Sequence, residues 1–285
     1  MIRKMNVETP QGSILESVIF KSQQAKTVII VITGVEGNIQ NNPFYTAIGK
    51  KLSSEGIDFV VAHTKDAFNQ TKSINQITAQ TEIFGASVES FADSDNDVQA
   101  YLNWALSKKY QHIILGGQSL GANKVIHYLA THSNVPIDKF LLLSPVDIDV
   151  LRRSVSQEQR EYISEQKESS KGKNRLPFKL FRWLSCDVDT ADEWLFDDTL
   201  NNVHFKKNMD FSQVERIYAS GALIIGTRDR FAGGDPSGYL KNIYNHFKTK
   251  ARNELVFIKD TGHIYRGKEY VLANEILNLI NKWKY

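Results

Sequence analysis

The chain has 285 residues, 41% of them hydrophobic and 24% charged, enough to fill one large hydrophobic core or one core with a modest appendage. Its 35 basic and 32 acidic residues leave a net charge of +3, too small and too dispersed an excess for a nucleic-acid footprint. The single cysteine, Cys186, cannot close an internal disulfide, and the longest apolar run, residues 28–32, falls far short of the roughly 20 residues a membrane span requires.

The basic residues near the N-terminus, Arg3 and Lys4, are not followed by an apolar segment, so no signal peptide is expected. The composition therefore predicts a soluble, cytoplasmic protein.

Residues 3–7 and 14–20 flank the turn-forming Pro10-Gln11-Gly12 and read as an antiparallel hairpin. Residues 27–32 are continuous and β-branched, as expected of a strand covered on both faces. A helix is expected from Asn42-Pro43, carrying Phe44, Ala47, Ile48 and Leu52, followed by a short strand at 59–62. Residues 65–89 are polar and read as a long surface loop.

Residues 93–108 read as a helix with acidic residues in its first turn, where the helix dipole favours them. A strand at 112–115, a helix at 123–132 and a strand at 140–143 follow. The alternation resumes with a strand at 222–225, a helix at 239–247, a strand at 255–258 and a last helix carrying Leu272, Ile276, Leu279 and Trp283. Strands alternating with helices imply a mostly parallel sheet with helices on both faces.

Residues 144–222 break this rhythm. Residues 154–173 are highly charged, residues 176–184 are amphipathic and aromatic, and Trp194-Leu195-Phe196 follows. We read a helical lid at 146–204 set into a core of 1–145 and 205–285, with the charged part solvent-exposed and mobile. A helical subdomain with purely structural packing is the alternative.

The pentapeptide Gly117-Gln118-Ser119-Leu120-Gly121 stands between an expected strand and an expected helix. A serine hydroxyl is a poor nucleophile and must be presented at a sharp turn that a base can reach, and flanking glycines relieve the crowding there. The strand at 222–225 runs into Asp229, and the strand at 255–258 runs into His263. Active sites of parallel sheets lie at the carboxyl ends of strands.

Ser119, Asp229 and His263 are therefore the candidate nucleophile, acid and base, with Asp147 the other candidate acid. Backbone N–H groups of Leu120 and of Val35, in the loop after residues 27–32, are the candidate oxyanion donors. The remaining six histidines have no comparable context and read as surface or structural. Phe178, Phe181 and Trp183 are candidate lining for an apolar acyl pocket. No cysteine or histidine cluster has metal spacing, and Gly116 to Gly121 lacks the acidic partner of a dinucleotide loop, so neither metal nor cofactor is expected.

The three segments Gly117-Gln118-Ser119-Leu120-Gly121, Gly226-Thr227-Arg228-Asp229 and Gly262-His263 resemble the triad anchors of the alpha/beta-hydrolase superfamily, and the chain order Ser, Asp, His matches it. The resemblance runs from about residue 5 to the C-terminus and implies an eight-stranded sheet and hydrolysis of an ester, thioester or amide. Thr33 and Gln118 stand where many members have histidine.

The expected substrate is a carboxylic ester or thioester of a small to medium apolar acyl group. An acyltransferase using the same triad, or a non-catalytic binding protein on this scaffold, is the alternative.

Overall fold

A computed structural model describes all 285 residues. The apolar strand β3 (Thr27–Ile32) lies at its centre and is buried along its whole length. Its alternate residues diverge into two cores: Val28, Ile30 and Ile32 into one, Ile29 and Val31 into the other. That division follows from the two-residue period of a strand and explains why the run carries no polar side chain after Thr27.

Around β3 the chain forms an eight-stranded sheet. The hairpin β1 (Ile2–Glu8) and β2 (Ile14–Phe20) is antiparallel, and β2 pairs antiparallel with β4 (Asp58–Ala62). From β4 the sheet continues in parallel through β3, β7 (His112–Gln118), β8 (Lys139–Leu143), β9 (Gly221–Gly226) and β10 (Glu254–Ile258). Helices α1 (Pro43–Ser54) and α9 (Glu269–Trp283) pack their apolar stripes on one face. Helices α2 (Ser94–Ser107), α3 (Leu120–Thr131), α7 (Ser212–Arg216) and α8 (Pro236–His246) cover the other. No helix is long and apolar enough to cross a membrane.

Strand β3 lies between β4, which follows it in the chain, and β7, which comes later. The direction of winding reverses there, and in parallel sheets such a reversal is where a site forms, outside the carboxyl ends of the two strands.

Two segments differ from their sequence reading. The polar stretch at 65–89 contains the two-stranded hairpin β5 (Thr71–Ile74) and β6 (Thr81–Phe84), whose Ile74 and Ile83 face solvent, so no buried apolar face marks the strands in the sequence. The aromatic segment 176–184 is not helical. Leu180 bridges to Leu184 across a tight reversal in which Phe181 and Arg182 take left-handed backbone angles, φ 53° and 70°. This reversal turns Leu180, Phe181 and Leu184 together into a third core, and that packing outweighs helical propensity.

The insertion otherwise contains α4 (Ile148–Arg152), α5 (Gln157–Glu168) and α6 (Val188–Phe196). The charged part is mainly the helix α5. Ser156 and Gln159 close a capping box at its start, and Ile163 is its one buried residue. The third core takes in Trp194, edge-on to both Phe91 and Phe181, together with Leu120 at the start of α3. Leu200 belongs to this core and Val203 to the main one, so the chain passes back to the main core between them.

Candidate active site

Ser119 sits at the turn between β7 and α3 with φ 56° and ψ −130°, a conformation that costs an L-residue on the order of 1–3 kcal/mol. Close packing enforces it. A methyl at Gly117 would overlap the Gly121 carbonyl, and one at Gly121 would overlap the Ile32 and Thr33 carbonyls of the β3 end. A Cβ at Gly34 would lie 2.7 Å from the Ser119 Cβ. The glycines thus let three backbone segments meet around one hydroxyl.

His263 Nε2 lies 2.8 Å from Ser119 Oγ, and His263 Nδ1 lies 2.9 and 3.1 Å from the Asp229 carboxylate oxygens. The loops bearing Asp229 and His263 are tied together by hydrogen bonds from the Thr227 and Arg228 N–H groups to the carbonyls of Ile258 and Thr261. Burial pushes the Asp229 carboxyl up. The adjacent His263, the Phe231 N–H and the Ser144 hydroxyl outweigh burial and hold it below the usual carboxylate range. Asp229 is therefore an anion that orients the imidazole and can stabilise its protonated form.

Asp147 is placed elsewhere in this hydrogen-bonding pattern. One of its oxygens accepts the Asp149 N–H at the start of α4 and the other accepts the Phe205 N–H. It makes no hydrogen bond with His263.

Leu120 is the first residue of α3, so its N–H has no helical acceptor, and the Val35 N–H likewise donates to nothing within the protein. The loop bearing Val35 is fixed on either side, by the Glu36 N–H to the Asp66 carbonyl and the Gly37 N–H to the Gly34 carbonyl, both 2.8 Å. Two free donors beside a nucleophile are what an oxyanion hole needs.

The proposed pocket aromatics divide. Phe178 and Phe181 line a cavity of about 560 Å³ whose walls include Ser154, Glu158 and Tyr162 but neither Ser119 nor His263. Trp183 is absent from that cavity and packs on the edge of the third core, as do Val35 and Phe231. The Phe231 ring stands edge-on to the His263 imidazole, with centroids 4.5 Å apart.

Four residues support the site in ways the sequence does not show. Buried Gln118 donates to the His263 carbonyl at 3.3 Å, holding the base from the backbone side. Tyr265, fully buried, lies 2.9 Å from the Ser144 hydroxyl and reaches the Ile224 carbonyl, which packs Ser144 behind Asp229. Phe231 supplies both a ring against the base and an N–H to the acid. Each lies within two residues of a recognisable anchor or strand end, but their roles depend on side-chain directions that no sequence pattern encodes.

No protein-family model and no curated protein sequence matches the chain. Solved structures do. Est1E from Butyrivibrio proteoclasticus superposes with a TM-score of 0.66 at 12% identity, covering 98% of each chain. The alpha/beta hydrolase GrgF from Penicillium sp. sh18 gives 0.67 at 14% identity over 100% of each chain. XC6422 from Xanthomonas campestris, a serine hydrolase without a lid, gives 0.57 at 14% identity over 99% of this chain and 94% of its own. The sheet order, the turn at Ser119 and these superpositions identify the chain as having the alpha/beta-hydrolase fold.

Proposed function

We propose that the protein is a serine hydrolase that cleaves a carboxylic ester or thioester through an acyl intermediate on Ser119. One observation carries this reading: Ser119 Oγ, His263 and buried Asp229 form a continuous hydrogen-bonded line beside two unengaged N–H groups. In this mechanism Ser119 attacks the acyl carbon while His263 Nε2 takes its proton. The N–H groups of Val35 and Leu120 stabilise the oxyanion, and His263 returns the proton to the leaving group. Water, deprotonated by the same imidazole, then releases the acid.

Val35, Leu120 and Phe231 give the site an apolar border, which supports a small to medium apolar acyl group. The esterase structures from Rhodothermus marinus and Pyrococcus furiosus that the fold resembles make ester cleavage the first reaction to assay.

The test is labelling with a fluorophosphonate probe, followed by peptide mass spectrometry and hydrolysis of p-nitrophenyl esters of increasing chain length. The modified peptide should contain Ser119, and Ser119→Ala should abolish both labelling and turnover while leaving the thermal midpoint in place. A folded Ser119→Ala protein that still turns over ester at the native rate overturns the reading.

A further inference from the structure

The insertion begins close to Asp147 and ends close to His204, and these two ends meet. Asp147, Asp149 and His204 each bring one ligand atom into a set whose members all lie within 4.8 Å of one another. Both nitrogens of the His204 ring lack a hydrogen-bond partner although the residue is only 2% exposed. Its Nδ1 lies 3.4 Å from Asp149 Oδ2. A buried imidazole left unpaired costs free energy, so a group with this surrounding points to a ligand.

The three side chains are also held in place from behind. Asp147 accepts the N–H groups of Asp149 at 3.0 Å and Phe205 at 2.8 Å, while Asp149 Oδ1 accepts the Asn201 amide at 3.1 Å. The His204 ring stands at 90° to Phe211, and its backbone carbonyl accepts the Asn242 amide at 2.9 Å. Outer contacts of this kind fix ligand orientation in metal sites. All three residues line a cavity of about 340 Å³, into which an ion can pass.

We propose that Asp147, Asp149 and His204 bind a divalent transition-metal ion, with Zn²⁺ the best match to one imidazole and two carboxylates, and that the ion clasps the two ends of the insertion together. The one imidazole, His204, comes far along the chain from the Asp147-Ile148-Asp149 pair, which is why no metal spacing shows in the sequence. Arg152, Arg153, Arg160 and Lys206 line the same cavity. Arg152 is already engaged by Asp149, Asp198 and the carbonyls of Trp194 and Asp197. Arg160 is likewise engaged, by the carbonyls of Arg152 and Val155. Arg153 and Lys206 remain as charges that favour an anion or hydroxide as the remaining ligand and moderate the affinity for the cation.

The experiment uses the full chain, stripped with EDTA and titrated with ZnCl₂ by calorimetry at about pH 7.5. One ion should bind per chain, and Zn²⁺ should raise the thermal midpoint because it binds the folded state. His204→Gln and Asp149→Asn should each weaken binding by at least about tenfold and remove the thermal shift. His132→Ala, at a histidine outside the cavity, should alter neither. If circular dichroism shows His204→Gln to be unfolded, Asp149→Asn decides the matter alone. The proposal is overturned by no one-to-one binding at about 1 mM Zn²⁺. It is equally overturned by binding that the folded variants leave within about twofold, which marks an adventitious ion only.

Discussion

Replacing Lys124 by methionine should destabilise the protein severely, and the damage should grow with pH. Lys124 lies in α3, little more than one turn beyond Ser119, with its side chain 2% exposed. Its Nζ is 2.8 Å from both Asp66 Oδ1 and Glu89 Oε1, and Asp97 is buried nearby. One cation thus serves three buried carboxylates, whose second oxygens Asp66 Oδ2, Glu89 Oε2 and Asp97 Oδ1 have no partner. Burial pushes the Lys124 ammonium down, but the carboxylates of Asp66, Glu89 and Asp97 outweigh burial and hold it above its ordinary value. Burial, followed by the charge of Asp66, drives Glu89 well up.

Removing the cation leaves uncompensated buried anions, which costs about 3–5 kcal/mol against a total stability of about 5–15 kcal/mol. At roughly 2–4 °C per kcal/mol for a chain of this size, the midpoint should fall on the order of 10 °C. Urea unfolding followed by circular dichroism at several pH values measures it. The loss should be largest where the carboxylates are ionised and should shrink as they take up protons. Glu89→Gln in the Lys124→Met background should recover part of it. A Lys124→Met protein within about 1 kcal/mol of the native one at neutral pH would refute the argument, because the ion cluster would then be energetically idle.

Three further outcomes follow from the same geometry. Burial raises the Asp97 carboxyl to about 7, so its contribution to stability is complete below the ordinary carboxylate range and is lost as pH rises toward and through 7; Asp97→Asn should flatten this fall in a series of urea midpoints. Asp229→Asn should lower kcat on the order of 10⁴-fold with folding intact, because the imidazole loses its anionic partner; steady-state kinetics alongside thermal melts separates this from unfolding. Gly121→Ala should drive a methyl into the Ile32 carbonyl and abolish probe labelling at Ser119 even in whatever fraction stays soluble, which gel-based labelling reads directly.

The parallel sheet was legible because its inner strands are buried on both faces and therefore written as unbroken apolar runs, as at Thr27–Ile32 and Gly221–Gly226. The same property made the site legible. Ser119, Asp229 and His263 each stand just past such a run, where the backbone leaves the sheet, and the sheet itself brings those ends together. What stayed hidden depends on contacts between segments with no fixed sequence relation. The reversal at Phe181 exists because Leu180, Phe181 and Leu184 have a common core to enter, and the β5–β6 hairpin carries its isoleucines outward. Lys124 reads as an ordinary helix-surface lysine until Asp66 and Glu89 are placed against it.

That ion cluster also bears on how the strained serine is maintained. Lys124 belongs to the helix that Ser119 begins, and Asp66, through its carbonyl, holds the Glu36 N–H in the loop that presents Val35. A single lysine therefore ties the element carrying one candidate oxyanion donor to the loop carrying the other. Strain at Ser119 persists only where its surroundings over-determine the backbone. Here the glycine contacts fix the turn from within the sheet, while the buried ions fix the start of α3 from outside it. Partial loss of the outer restraint should let α3 move relative to the Val35 loop before the fold is lost. In Lys124→Met, ester turnover should accordingly fall at temperatures below the onset of unfolding, with kcat lowered more than KM is raised, since the donors act on the transition state rather than on the bound ester. Equal loss of activity and of folded protein across the melt would show instead that the cluster serves stability alone.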